Sequence, residues 1–110
     1  MPVKKKAKTA IPFSMPEIDK VIHGPARLTI LAYLYIVEST DFLFLQRQTG
    51  LTKGNLSSHL ITLEKAGYVD IKKEFVEKTP RTLLSLSARG REAFREYRDS
   101  LKKILNEIPD

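Results

Sequence analysis

Between Lys53 and Leu63, polar side chains are interleaved with leucines at helical spacing. Leu56, Leu60 and Leu63 recur at intervals of four and three and make one buried stripe. The other side carries Lys53, Asn55, Ser57, Ser58, His59 and Thr62. These are small and medium donors and acceptors, suited to base edges and phosphate oxygens. A helix facing only solvent more usually carries Glu and Lys. Further along, Lys72, Lys73, Lys78 and Arg81 supply long cations that can reach phosphates or a minor groove. Each feature also has a plainer reading. His59 fits a helix-surface filler as well as a base or phosphate contact. Gly54 either lets the backbone approach a partner closely or relieves crowding at the turn. The lysines of 72–78 also suit a charged hairpin edge that resists aggregation.

Catalytic chemistry finds little support. The chain has two histidines, His23 and His59, and no second ligand stands at metal-binding spacing. Ser57, Ser58 and His59 are adjacent, so on a helix their side chains diverge and form no nucleophile–base pair. No glycine loop of the phosphate-binding type is present. Cysteine is absent, which excludes disulfides, thiolate metal sites and cysteine nucleophiles. The sequence therefore predicts no enzyme, no cofactor and no bound metal.

The surrounding elements must position those polar groups. A chain of 110 residues suits one domain, and 42% hydrophobic with 29% charged residues is a globular composition. The formal net charge is +6, and its location matters more than its size. Residues 1–16 hold Lys4, Lys5, Lys6 and Lys8 with no acid, and read as a flexible basic arm. Residues 51–90 carry a net +3, while 91–110 are balanced. The longest nearly apolar run, Leu28 to Val37, is about half the roughly 20 residues that span a bilayer, so no membrane segment is expected. The domain proper occupies residues 17–110.

Gly24-Pro25 opens a helix, since proline at the first helical position loses only an orphan donor. Its residues from Leu28 to Val37 are apolar nearly all round, which calls for cover on more than one side. Ser39-Thr40-Asp41 breaks it, and Phe42 is expected on a strand of one or two residues. A short helix follows from about Leu43 to Thr49, stopped by Gly50. Thr52 is the expected N-cap of a helix from Lys53 to about Ala66, which ends at Gly67. Tyr68 to Lys72 alternates as a half-buried strand does, and so does Thr82 to Leu86. Glu77 to Arg81 reads as the polar turn between them. Ser87 caps a last helix from Ala88 to about Glu107.

The order of helix, short helix, turn, helix, hairpin, helix is that of a helix-turn-helix followed by a wing. The fold class is therefore α+β, mainly helical. It has a two-stranded β-hairpin wing and a long C-terminal helix that serves in dimerisation. Three segments resemble the winged-helix transcriptional regulators of the MarR/ArsR-like type. They are Ile22-His23-Gly24-Pro25-Ala26-Arg27-Leu28-Thr29-Ile30-Leu31, the stretch from Leu51 to Val69, and Leu86-Ser87-Ala88-Arg89-Gly90-Arg91. The resemblance implies a homodimer that binds double-stranded DNA and regulates transcription. It would present Lys53, Gly54, Asn55, Ser57, Ser58, His59 and Thr62 to the major groove, and Lys72, Lys73, Lys78 and Arg81 on the wing. It also implies a cytoplasmic, nucleoid-associated protein. The cysteine-rich metal site of many ArsR-type sensors has no counterpart here. A protein-interaction or chromatin-associated module with little sequence specificity is the competing reading.

Phe94, Tyr97, Leu101, Ile104 and Ile108 recur at 3, 4, 3 and 4 residues, a seam of coiled-coil period. With Leu105 they form the expected dimerisation set. Tyr33, Tyr35, Phe94 and Tyr97 can serve as aromatic core, or line a small-molecule effector pocket near that seam.

Overall fold

A computed structural model describes residues 18–110 of the chain. The basic arm, with Lys4 to Lys8, lies outside the described residues. Seven elements follow: α1 (Pro25–Val37), β1 (Ser39–Asp41), α2 (Phe42–Thr49), α3 (Lys53–Lys65), β2 (Val69–Val76), β3 (Thr79–Leu86) and α4 (Ala88–Glu107). The expected α+β, mainly helical winged fold is what the chain adopts.

Helix boundaries follow local chemistry. Pro25 starts α1. The Asp41 carboxylate accepts from the Phe44 N–H at 2.8 Å and caps α2, and Gly50 closes that helix in the left-handed region at φ +73°. Thr52 Oγ1 accepts from the Asn55 N–H at 3.1 Å and caps α3. Two bonds finish α3: the Gly67 N–H donates to the Glu64 carbonyl and the Tyr68 N–H to the Leu63 carbonyl, both at 2.9 Å. That nested pair, with Gly67 at φ +81°, is a Schellman stop.

The core gathers Ile30, Leu31 and Leu34 of α1, Leu45 of α2, Leu56, Leu60 and Leu63 of α3, and Val69 and Leu84 of the sheet. Burying a leucine fully is worth about 1.5–3 kcal/mol, so the α3 stripe alone holds that helix firmly. Ile22 joins this core from before α1. Asp19 fixes that segment: its carboxylate accepts from the Val21 and Ile22 N–H groups and from the Tyr68 hydroxyl. Burial, reinforced by the Asp19 carboxylate, pushes the Tyr68 phenol up to about 12.

The sheet departs from expectation in two ways. Its strand order is β1-β3-β2, all antiparallel, so a third strand sits at the base of the hairpin. That strand is Ser39–Asp41, paired with Leu83 to Ser85, while Phe42 begins α2. The hairpin is also longer than expected, because its turn is only Glu77-Lys78. Both residues have positive φ, +52° and +66°, as a type I′ turn requires. Thr79, Pro80 and Arg81 therefore belong to β3. Proline is tolerated there for a geometric reason. A two-residue turn makes Val76–Thr79 the first hydrogen-bonded pair, which leaves Phe75–Pro80 a non-bonded pair. The missing N–H points to the side of β3 that β1 no longer reaches.

The helix α4 spans 20 residues, about 30 Å. Its start is locked by a tight corner. The Ser87 side chain accepts from the Gly90 N–H at 2.9 Å and donates to the Gly67 carbonyl. The Ser87 N–H donates to the Tyr68 carbonyl at 3.0 Å. Only a glycine at position 90 leaves room for that carbonyl: a Cβ there would stand 2.0 Å from the Tyr68 oxygen.

Candidate nucleic-acid interface

An open groove of about 810 Å³ runs between α3 and the groove-facing side of the wing. Lys53, Ser57, Leu60, Ile61 and Glu64 form the α3 wall. Ile71, Lys73, Thr82 and Leu84 form the sheet wall, and Pro80 and Arg81 extend it toward the tip. Arg47 of α2 closes one end together with Asp41, Phe42 and Leu43. Four cations therefore border one concave surface: Arg47, Lys53, Lys73 and Arg81. Among the described residues the one ion pair is Arg98 with Asp99, so none of these four is held by a described carboxylate within salt-bridge distance. Glu64 keeps the groove from being uniformly basic, and a carboxylate there is an acceptor of the kind that meets a cytosine amine.

Helix periodicity divides the predicted α3 residues into three rows about the buried leucines. Lys53 and Ser57 face the groove. Gly54 and Ser58 lie on the outermost row, both exposed, along with Ile61 and Lys65. Asn55, His59 and Thr62 lie on the flank away from the wing; Asn55 is exposed and the other two are half-buried. The Thr62 hydroxyl donates to the Ser58 carbonyl at 3.2 Å, so only its acceptor lone pairs face outward. A Cβ on Gly54 would meet no atom within 4 Å. Crowding at the turn therefore does not explain this glycine. Gly54→Ala is expected to raise the melting stability by about 1 kcal/mol through helix propensity while weakening binding to duplex DNA. Thermal melts and titrations of the two proteins check both signs, and unchanged binding would remove Gly54 from the contact surface.

The period of two along β2 separates neighbours that the sequence groups together. Lys73 shares the groove face with Ile71, whereas Lys72 projects from the opposite face with Asp70 and Glu74. Lys72 lines no part of the groove. Arg81 pairs with Glu74 and so starts from that other face, yet it also borders the groove. Lys78 sits exposed in the turn itself. Sequence reasoning misses Arg47, Ile61 and Glu64. Arg47 is hidden because α2 reads as a supporting helix, and only its packing against the hairpin base brings the guanidinium to the groove.

The α4 stripe splits in two. Phe94, Tyr97 and Leu101 pack into the protomer's own core. Tyr97 is 4% exposed and its hydroxyl is 2.8 Å from His23 Nδ1. Beyond them Ile104 is half-buried, and Leu105 and Ile108 stay 62% and 53% exposed. The first half of the expected seam is thus covered by its own chain, because α1 and the segment before it lie against α4. The four aromatic rings also do not line a shared pocket. Tyr33 packs on Phe44, Tyr35 on Phe94 beneath the Arg91 guanidinium, and Tyr97 on His23. Tyr97 borders a polar cavity of about 390 Å³ shared with Asp19, Tyr68, Arg89, Glu92 and Glu96. Among the described residues no helix is long and apolar enough to cross a membrane.

Residues 26–105 match the winged helix DNA-binding domain family. The chain is 37% identical over 78 residues to the uncharacterized protein MJ0432 of Methanocaldococcus jannaschii, covering 71% of this chain and 85% of that protein. It is similar in structure to the transcriptional regulator homologue protein from Pyrococcus horikoshii OT3, with a TM-score of 0.76, 27% identity and 96% of each chain covered. It also shares the fold of reduced AbfR, solved bound to DNA, with a TM-score of 0.65 and 17% identity over 76% of this chain and 57% of that one.

Proposed function

The chain belongs to the winged-helix DNA-binding domain family, and from that premise we propose that it is a transcriptional regulator that reads specific sites in duplex DNA as a homodimer. The observation that carries this reading is the groove itself. Arg47, Lys53, Lys73 and Arg81 border it without described ion-pair partners, beside a helix whose outward rows include Ser58, Asn55, His59 and Thr62. A helix 10–12 Å across matches a major groove about 12 Å wide. In this reading α3 enters the major groove, Ser57, Ser58, Asn55 and His59 meet base edges, and the cations hold phosphates on either side. Phosphate contacts set affinity and its salt dependence; base-edge contacts set which sequence is preferred.

The homodimer rests on the far end of α4. Ile104, Leu105 and Ile108 continue the apolar stripe past the point where the protomer covers it, on a charged helix that sums to no net charge over 91–110. A two-fold axis there would present two α3 helices to successive major grooves, about 34 Å apart. Selection from random duplexes at a stated salt concentration tests the reading. A two-fold-symmetric motif is the expected product, and Leu105→Glu with Ile108→Glu should yield monomers on a sizing column. Weak, salt-sensitive binding with no enriched motif would favour a chromatin-coating or protein-interaction module instead.

A further inference from the structure

The tip of the wing carries an aromatic ring that the fold does not use. Phe75 is 75% exposed, although it is among the largest apolar side chains of the sheet. It stands opposite Pro80 in the β2–β3 register, so two rigid apolar groups share one rung of the ladder. Strand alternation puts Phe75 on the same face as Ile71 and Lys73, which line the groove. The face therefore changes character outward: buried at Val69, half-buried at Ile71, cationic at Lys73, and apolar again at Phe75. At about 3.4 Å per residue, Phe75 lies roughly 20 Å along the strand from Val69.

We propose that Phe75, backed by Pro80, is an apolar wedge that enters the minor groove of bound duplex DNA and bends it. This inference rests on the DNA-binding reading above and adds to it a residue and a deformation. Four observations converge. The ring points toward the side of the wing that faces α3, the side on which the duplex would lie. It is held by a two-residue turn and a proline-bearing rung, so it meets DNA already ordered. Lys73, Lys78 and Arg81 share the distal wing with it and outnumber the two carboxylates there, Glu74 and Glu77, so the tip keeps a net positive charge suited to phosphate walls. Its burial contributes nothing to the protomer core. A minor groove about 6 Å wide admits a ring edge-on, and apolar side chains inserted between base steps kink duplexes toward the major groove by about 20–90°. Flexible pyrimidine–purine steps are the cheapest to open, so the wedge also sets a preference at base pairs that no polar side chain touches.

The test uses the full chain and an A/T-rich duplex of about 30 base pairs with a central TA step, end-labelled so that fluorescence transfer reports bending. The wild-type chain should shorten the end-to-end distance on binding. Phe75→Ala should lose most of that change and bind about tenfold more weakly, within the roughly 5- to 150-fold range of one aromatic–base contact. Its melting temperature should stay put, because the ring is exposed. Phe75→Leu should restore the bend. If Phe75→Ala binds and bends the duplex as the wild type does, the wedge is overturned and the DNA-binding reading survives. If the wild-type chain binds no duplex at low salt, both fall. If Phe75→Ala instead changes the oligomeric state with bending intact, the ring is a subunit contact and the wedge is overturned.

Discussion

Gly90→Ala should cost the protein about 3 kcal/mol or more and lower its melting temperature by roughly 15 °C. Helix propensity alone argues the other way: alanine in place of glycine inside a helix gains about 1 kcal/mol. The clash decides the sign. The added Cβ would stand 2.0 Å from the Tyr68 carbonyl oxygen and 2.7 Å from its carbon, both backbone atoms with no rotamer to adjust. Either the first turn of α4 or the Gly67-Tyr68 corner must move. That movement breaks the bond from the Ser87 N–H to the Tyr68 carbonyl and loosens the Ser87 cap. It also drags Tyr68 off Asp19. A domain stable by only about 5–15 kcal/mol has little to spare. Calorimetry of the variant beside Gly54→Ala gives an internal control, because the same chemical change should move the two melts in opposite directions. A Gly90→Ala melt at or above the wild-type value would mean that the corner packs differently.

How legible the fold is in the sequence differs from element to element. The ends of α1, α2 and α3 are readable because their determinants are local: Pro25, Gly50, Thr52 and Gly67 each act within a few residues of themselves. Gly90 is visible as a glycine in a first helical turn, but its reason is a carbonyl 22 positions earlier, and no local pattern announces such an approach. The strand Ser39–Asp41 escapes local reading because its three residues are polar and pair only with a strand more than forty positions away. Pro80 reads as a breaker and so draws the expected turn toward itself. Its place at a non-hydrogen-bonded rung depends on where the two-residue turn starts, which is set by Glu77 and Lys78 adopting positive φ against their own preference.

The groove shows the same division. Residue type and neighbourhood identify Lys53, Ser57, Lys73 and Arg81, while Arg47 needs the tertiary packing of α2 on the hairpin base. Charge groups Lys72 with Lys73, and strand alternation separates them. On α4, a period of 3.5 residues reports an apolar stripe and says nothing about what covers it. Here α1 and the segment around Ile22 cover Phe94, Tyr97 and Leu101, and the exposed remainder begins only at Ile104.

That separation of Lys72 from the groove gives the second large effect. Replacing Arg47, Lys53, Lys73 and Arg81 together by alanine should weaken duplex binding by on the order of a thousandfold near 0.1 M salt. It should also reduce the slope of log affinity against log salt by about 3.6 per protomer, or 0.9 for each phosphate no longer neutralised. Each single change should lower the slope by about 0.9. The folded state should tolerate the changes, because none of the four takes part in a described ion pair and all four are exposed. Lys72→Ala, on the far face of the same strand, should leave the slope nearly unchanged although it removes the same charge. Net charge alone predicts that Lys72 and Lys73 are equivalent, since they are adjacent and chemically identical. Placement predicts that they differ. Equal slopes for Lys72→Ala and Lys73→Ala would mean that the wing contributes only a diffuse positive field. A drop confined to Lys73 would mean that the phosphate path runs along the groove between α3 and the hairpin, bordered at its far end by Arg47.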